Sequence, residues 1–492
     1  MNSTVYPQRW LHFLAPVLFG AWAAAIAVAP TLTTKAVLAA PAALLPLAWW
    51  TVNKPARWLA AFFAAALLLP PLPIPIGDSG PHPCLLFAAL GLFAGMLWLG
   101  EWSVTPSGVG GALIVLWGVL LASVAMAGWR SGAEAAAGSF ARVALFGISV
   151  YVFFYTAYGP GRRDSRTDDR FLSSVSRPSD TPVRSSVGRL SATPSLSSLY
   201  YFAVASALFA CVDFYFQFPA PAGYGPQFIW LTSGVYRRAQ GIFYEASTLG
   251  NFCVFFLVMI AVAFSRPRAQ SPVPRKALVA GGAVLFAALV LSYSRASLLN
   301  ILVASAVLVW LNRHRVRFAR IAVILGGSVA AGAFLTWQVF PAFAEMYWLR
   351  LSGTTEYFFS ATEGVLSGRV ASWRTLVDWI SANPWQAFLG IGYKTLPYSD
   401  YLGSAVIGDN MYLSLLVETG IAGLAALLWL HIAILRAAAR ASRAADSQAS
   451  FCGTLMLCFW AGQVVQMFSG DLLTYWRLLP IYFWILALAV RA

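Results

Sequence analysis

Residues 242–264 read IFYEASTLGNFCVFFLVMIAVAF, a run of 23 residues with one charged side chain, Glu245. A helix of this length rises about 34 Å at 1.5 Å per residue, enough to cross about 30 Å of hydrocarbon. Similar apolar runs recur along the chain, at about 11–29, 33–50, 58–76, 83–100, 110–128, 138–158, 199–217, 277–293, 296–311, 319–340, 409–431, 451–468 and 475–490. The sequence therefore predicts an all-α polytopic membrane protein with about 14 transmembrane helices.

The composition excludes a soluble protein. Of the 492 residues, 59% are hydrophobic and 10% are charged, whereas an ordinary soluble domain has about 25% charged residues. The 34 Phe, 20 Trp and 19 Tyr exclude a disordered chain, because so much apolar surface drives burial. The five cysteines lie in or beside apolar runs without a CxxC pair, so we expect neither disulfides nor a zinc site.

The net charge of +15 comes from basic residues in short loops that fall on one side of the predicted spans. By the positive-inside rule this side is the cytoplasm, and both termini lie there. Membrane topology alone explains a surplus of basic residues that is spread over several cytoplasmic loops. No nucleic-acid partner is therefore expected. The loops carry Arg9, Lys54 and Arg57, Arg162 to Arg189, Arg266 to Lys276, Arg313 to Arg320, and Arg436 to Arg443.

These features divide the chain into five regions. Residues 1–160 hold predicted transmembrane helices 1–6, and residues 161–198 form a Ser/Arg/Pro/Asp-rich stretch that we expect to be a disordered cytoplasmic linker. Residues 199–340 hold helices 7–11. Residues 341–408 form the largest outer loop, and residues 409–492 hold helices 12–14.

The outer loop contains one clear helical pattern. Apolar side chains recur at helical spacing before Asn383-Pro384 stops the run, at Val370, Trp373, Leu376, Val377 and Ile380. This spacing predicts an amphipathic helix that lies on or near the membrane surface, within a folded external cap.

Two places on the outer side carry arginines against the positive-inside trend. Arg237 and Arg238 stand just before the 242–264 span, and Arg295 follows Ser294 at the turn of an apolar hairpin. A ligand that bears phosphate at the outer headgroup level would explain these guanidinium groups. The alternative is that they reach lipid phosphates without any specific ligand.

Further candidates lie in and after the outer loop. Arg369 opens the amphipathic helix beside free backbone N–H groups, which suits either an anion site or a local ion pair with Glu363 or Asp378. Asp409 lies where the loop meets a span, so it either faces a water-filled pocket or caps the helix. Glu418, nine residues on, would lie about 13.5 Å deeper on an ideal helix and is not expected to share that pocket. A buried, hydrogen-bonded structural role is expected for it instead.

Asp213, Asp471 and Arg477 are weaker candidates, because pairing with a nearby charge would explain them.

The order of these features resembles the O-antigen ligase and polymerase family of bacterial envelope glycan enzymes. The resemblance covers roughly residues 236–424 and depends on the order of several short motifs. They are Arg238-x-x-Gly241, Ser294-Arg295, Ser367-Gly368-Arg369 with Trp373, Gly390-x-Gly392, and Asp409-Asn410-x-Tyr412 with Glu418-x-Gly420.

The resemblance implies a glycosyltransferase of the C-type membrane architecture, inverting and metal-independent, without a cofactor. It would act at the periplasmic face of the inner membrane on a glycan donor linked to undecaprenyl pyrophosphate, with a glycan acceptor and membrane lipids as further partners. A chain-length regulator is left open. The pyrophosphate-binding arginines of the family fall on Arg238 and Arg295, and Asp409 would act as base or orient the acceptor. Substrate contacts are expected from Arg237, Glu245, Arg369, Asn410 and Tyr412.

One departure from the family bears on the reaction. O-antigen ligases carry a histidine before the Asn-x-x-Leu stretch of the late span, where this chain has Asp409. The departure favours a polymerase over a ligase. A third alternative, a carrier of lipid-linked oligosaccharide, predicts two comparable halves and ionisable groups near the membrane midplane, whereas the conspicuous charges here crowd the outer boundary.

Overall fold

The structure is a computed structural model that describes residues 57–72, 81–159, 194–218, 225–231, 234–313, 369–398 and 408–491, with short helical pieces within 20–51 and 334–352. The predicted spans near 11–29, 33–50 and 319–340 lie largely outside the described residues. Most of the predicted linker 161–198 also lies outside them, as does most of the outer loop apart from residues 369–398.

The described chain is mostly helical. Its helices are α1 (Arg57–Leu68), α2 (Cys84–Leu97), α3 (Gly108–Tyr158), α4 (Leu196–Phe216), α5 (Ala246–Phe264), α6 (Arg275–Leu291), α7 (Arg295–Leu311), α8 (Arg369–Ala382), α9 (Pro384–Leu389), α10 (Met411–Ala441), α11 (Ser447–Gln466) and α12 (Leu479–Val490). Five of the described helices are long and apolar enough to cross a membrane, namely α3, α4, α5, α10 and α11 with its last turn.

One small sheet departs from the all-α prediction. Strands β1 (Phe228–Leu231) and β2 (Gly234–Arg237) pair antiparallel, with Phe228 opposite Arg237. The all-α prediction included no strand in this region. The hairpin leads directly into the segment 238–245 that precedes α5, so it sets the position of Arg237, its last residue, and of Arg238, the next residue.

Helix α3 is a hairpin of two antiparallel helices. Gly132 breaks it with φ 90° and ψ 174°, a conformation that favours glycine. The Tyr158 hydroxyl donates to Ser107 Oγ at 2.8 Å, and Trp117 Nε1 donates to the Val143 carbonyl at 3.3 Å. Residues this far apart in sequence meet only if the chain reverses at Gly132. The two predicted spans, 110–128 and 138–158, are therefore confirmed as separate helices.

Helix α10 reverses in the same way at Gly420, where φ is 69°. The rings of Tyr412 and His431 lie 6.1 Å apart, although 19 residues of straight helix would separate them by about 28 Å. Residues 411–419 thus form a short arm that lies against the long arm 421–441.

Helix α5 lies at the centre of the bundle, with most of its side chains buried against α6, α7 and α11. A buried polar network ties it to its neighbours. Asn251 Nδ2 donates to Gln463 Oε1 at 2.6 Å, Asn300 Nδ2 donates to Gln466 Oε1 at 2.7 Å, and the Tyr482 hydroxyl donates to Asn251 Oδ1 at 2.7 Å. Such interhelical hydrogen bonds hold helices together where lipid offers no polar partner.

The amphipathic helix predicted in the outer loop is present as α8. It ends at Ala382, and Pro384 then occupies the first turn of α9, a position that needs no N–H donor. Leu376 and Trp379 of α8 are buried against Ile391, Leu396 and Val417. Val377, predicted on the apolar face, is instead 45% exposed. Helices α8 and α9 therefore pack on the short arm of α10.

Candidate functional site

A polar cavity of about 180 Å³ lies at the end of the bundle where α5 begins. We call it the site cavity, and this end the site end. Four carboxylates and two cations line it: Glu245, Asp409, Glu418, Asp471, Arg142 and Lys394. They come from the start of α5, the start and short arm of α10, the segment after α11, the α3 hairpin and the loop after α9. Chain segments far apart in sequence thus converge on one small volume.

The loop after α9 is fixed by its glycines. Gly390 and Gly392 have φ angles of 82° and 116°, and a Cβ on Gly392 would lie 2.5 Å from the Cα of Ala127 in the α3 hairpin. The N–H groups of Ile391 and Gly392 donate to the carbonyls of Val417 and Glu418 at 3.0 and 2.8 Å. These bonds satisfy the last carbonyls of the short arm before Gly420 reverses the chain.

Lys394 follows this loop and is fixed by two carboxylates. Its ammonium forms an ion pair with Asp471, and the two side chains are only 12% and 11% exposed. Burial lowers the pKa of the Lys394 ammonium, but the charges of Asp471 and Glu418 more than offset this effect and leave the pKa raised. Lys394 is therefore a cation that its ion pair with Asp471 holds in the site cavity.

Glu418 lines the same cavity as Asp409, so the expectation that it lies in a different place is wrong. That expectation treated residues 409–418 as one ideal helix. The helix begins only at Met411, and Asp409 lies on the loop that precedes it. Glu418 is buried, and backbone hydrogen bonds from Lys394 and Leu396 reach its carboxylate. The expected structural role of Glu418 is therefore confirmed, and it supports the loop after α9.

Asn410, and not Asp409, caps α10. The Asn410 Oδ1 atom accepts hydrogen bonds from the N–H groups of Tyr412 and Leu413 at 3.0 and 3.1 Å. The alternative that Asp409 is the helix cap is therefore wrong, and its carboxylate lines the site cavity. Asn410 and Tyr412 were both predicted to contact substrate. In the structure the Asn410 Oδ1 atom is engaged in the cap, and the Tyr412 hydroxyl donates to the Val464 carbonyl at 2.8 Å, so both polar groups form contacts within the protein.

The segments that carry Arg238 and Arg295 are in contact. Arg238 Nε donates to the Ser292 carbonyl at 2.9 Å, and the Ala239 N–H donates to the Leu291 carbonyl at 2.9 Å. Arg295 is the first residue of α7, directly after the helix cap Ser294. We call residues 292–297 the serine turn. The two arginines predicted to bind pyrophosphate thus belong to adjoining segments at the site end.

Helix α5 connects the serine turn to the site cavity. Glu245 and Ser247 line the cavity, and the Ser247 hydroxyl donates to Glu245 Oε2 at 2.7 Å. Gly250 contacts the serine turn so closely that a Cβ there would lie 2.7 Å from Ser297 Oγ. Because Ser247 and Gly250 are three residues apart, they share one face of α5. The serine turn and the site cavity are therefore neighbours along that face.

One other predicted residue, Arg237, lines a different cavity. Arg237 forms an ion pair with Asp213 at 3.3 Å, and both line a separate cavity of about 380 Å³. The prediction that Asp213 is explained by a nearby arginine is confirmed. Arg369 begins α8, but its side chain lies outside the described residues.

Three lining residues were missed or ranked low from sequence. Arg142 lies near the start of a predicted span on the outer side, which is the signal that singled out Arg238. Lys394 lies two residues after Gly392 of the Gly390-x-Gly392 motif. Asp471 was expected to pair with an arginine, whereas it pairs with Lys394.

Arg477 connects separate segments of the chain through hydrogen bonds to their backbone carbonyls. It donates to the carbonyls of Ala66, Ile242 and Leu69, and its guanidinium lies 5.0 Å from the ring centre of Phe243.

Several apolar helices with a charged cavity at one end indicate a multi-pass membrane protein. Residues 280–428 match the family model described as O-antigen ligase, which confirms the resemblance to the O-antigen ligase and polymerase family. This family is glycosyltransferase-like and implies lipid-linked glycan substrates. The matched region includes Arg295, Lys394, Asp409 and Glu418, and it favours an enzyme over a carrier. No curated protein matched the chain.

Proposed function

We propose that the protein polymerises oligosaccharide repeat units linked to undecaprenyl pyrophosphate, at the periplasmic face of the bacterial inner membrane. The observation that supports this proposal best is the placement of Asp409 in a polar cavity beside the serine turn that carries Arg295. Transfer of a sugar from a lipid pyrophosphate needs a base for the acceptor hydroxyl and a cation for the leaving pyrophosphate. The carboxylate and the guanidinium supply these two groups in adjoining places.

The distribution of charge favours different parts of the substrates at the site cavity and at the serine turn. The site cavity has four carboxylates against two cations, so its formal charge is negative and it disfavours a pyrophosphate. Arg238 and Arg295 lie outside that cavity and supply planar donors suited to phosphate oxygens. The pyrophosphate therefore belongs at the serine turn, and the acceptor hydroxyl belongs in the site cavity.

The proposed reaction is a single displacement. The acceptor hydroxyl attacks the anomeric carbon, Asp409 takes its proton, and the bond between that carbon and the pyrophosphate oxygen breaks. Arg238 and Arg295 stabilise the negative charge that develops on the leaving pyrophosphate. One displacement inverts the configuration at the anomeric carbon. Glu245 also lines the site cavity and supplies a further carboxylate within the same volume.

The orientation follows from the two ends of α5. Glu245 precedes α5 at the site end, whereas Arg266 and Arg268 follow its other end at Phe264. The positive-inside rule assigns the arginine-rich end to the cytoplasm. The site cavity then faces the periplasm in this proposal.

A ligase is the second candidate, because the matched family model is described as O-antigen ligase. It would transfer a finished lipid-linked glycan to a lipid A-core or protein acceptor. The presence of Asp409 where ligases carry histidine favours the polymerase.

Glycan analysis of a deletion strain separates the two candidates. A polymerase deletion should leave single repeat units on the final acceptor, and wild-type protein should restore the polymer. If polymer instead accumulates on undecaprenyl pyrophosphate, the protein is a ligase. Unchanged polymer and unchanged attachment would contradict both functions.

A further inference from the structure

A second charged cavity lies at the opposite end of α5. It has a volume of about 450 Å³ and opens between the ends of α5, α7 and α10 and the start of α11. Three arginines line it, Arg266, Arg313 and Arg443, and its described lining residues include no carboxylate. We propose that this cavity, the basic cavity, binds the phosphate headgroup of an anionic membrane phospholipid.

The positive charge of the three arginines exceeds the partial negative charge of the helix C-termini at this cavity. The C-termini of α5, α7 and α10 meet at this cavity, and each carries about −0.5 of an elementary charge, or about −1.5 together. Three guanidinium groups supply twice that positive charge. Asp446, the carboxylate that precedes α11, is engaged as a helix cap, since its Oδ2 accepts the Ala449 N–H at 2.7 Å. The basic cavity therefore retains a positive surplus that suits an anion.

One arginine is held in place and two lie at the rim. Arg266 Nη2 donates to the Ser450 carbonyl at 2.8 Å, to Ser450 Oγ at 3.0 Å and to Thr454 Oγ1 at 3.0 Å. Arg313 and Arg443 are exposed. A fixed guanidinium at the base with two exposed ones above it forms a cradle for a phosphate group. The volume falls within the range of about 300 to 1,000 Å³ found for small-molecule sites.

The surroundings point to a lipid rather than a soluble phosphate. Trp310 lines the cavity, is 57% exposed and has the Arg313 guanidinium 5.0 Å from its ring centre. It lies in the last turn of α7, an apolar helix, where tryptophan is typical of the membrane interface. Basic pockets between helices at the cytoplasmic side recognise anionic headgroups. The basic cavity is thus open at the depth where phospholipid headgroups lie.

Native mass spectrometry of the detergent-purified full chain tests the proposal with dioctanoyl phosphatidylglycerol as the probe. The double variant Arg313→Gln/Arg443→Gln should weaken binding by about 30-fold, since each basic group contributes about a fivefold factor. The matched control Lys276→Gln/Arg436→Gln removes the same charge from two exposed residues at this end that do not line the basic cavity. It should change the dissociation constant less than threefold.

Each contrary outcome overturns the proposal. Equal weakening in both double variants would mean non-specific attraction to a basic surface. Equally tight binding of dioctanoyl phosphatidylcholine would exclude recognition of an anionic headgroup. Inorganic phosphate that binds as tightly as the lipid would assign the basic cavity to a soluble anion. If the double variant elutes as an aggregate, the single variant Arg443→Gln should show the fivefold loss alone, and its absence would count against the proposal.

Discussion

The substitution Asp409→Asn tests the proposed base directly, because the structure separates the chemistry of Asp409 from the capping of α10. The amide keeps the size of the side chain and removes the charge that accepts a proton. The cap remains, since Asn410 Oδ1 still accepts the N–H groups of Tyr412 and Leu413 at 3.0 and 3.1 Å. Activity should therefore fall while stability changes little.

The expected magnitudes differ widely. Loss of a general base typically lowers the rate by about 10² to 10⁴, which corresponds to about 2.7 to 5.5 kcal/mol of activation free energy. Because the cap of α10 stays intact and the amide keeps the size of the carboxylate, the free energy of unfolding should change by about 1 kcal/mol, as for a typical single substitution. The two measurements should thus move independently of each other.

The assay is complementation of a deletion strain, with polymer quantified at matched protein level, and thermal melting of the purified protein. Asn410→Ala is the control. It should cost about 1 kcal/mol of stability through loss of the cap, while it retains the Asp409 carboxylate and measurable activity. Wild-type polymer yield from Asp409→Asn would refute the reasoning and transfer the role of base to Glu245, which Glu245→Gln would then test.

Arg238→Ala and Arg295→Ala should each reduce polymer by tenfold or more, since a charge-assisted contact is worth about 1.5 to 3 kcal/mol; normal yield from both at matched protein level would contradict a pyrophosphate role. Lys394→Met should lower the melting temperature in detergent through a loss of about 3 to 5 kcal/mol, because it leaves Asp471 buried without its cation. The double variant with Asp471→Leu should recover part of that loss, and no recovery would argue against the pair. Deletion of residues 164–195 should leave polymer yield nearly unchanged, and complete loss of product with normal membrane insertion would show that the linker has a direct role.

The helices were predictable where the signal is local. Apolar runs predicted the spans because a helix in lipid must present apolar side chains along its whole length. The run 242–264 corresponds to α5, which begins later, at Ala246, because Glu245 precedes the helix in an extended conformation. The reversal at Gly420 was not predictable, since a single glycine within an apolar run does not reveal whether the chain continues or turns back.

The site was predictable only in part. Arg238, Arg295 and Asp409 could be selected as candidates from sequence because their charge and their predicted side of the membrane both depend on local signals. Lys394 and Asp471 are 77 residues apart, and pairs of this kind depend on how helices pack. Asp409 was considered as a cap, whereas Asn410 is the cap, and the sequence does not separate the two because both residue types cap helices about equally well.

Arg477 has a consequence for how the chain is assembled in the membrane. It donates hydrogen bonds to the carbonyl of Ala66 across a separation of 411 residues and to that of Ile242 across 235. At about 5 to 20 residues per second, synthesis reaches Arg477 about 20 to 80 s after Ala66. During that interval the end of α1 must take its hydrogen bonds from water or from the insertion machinery. A nascent chain that is released before its last helix is made therefore lacks the Arg477 hydrogen bonds that join α1 to the end of the bundle.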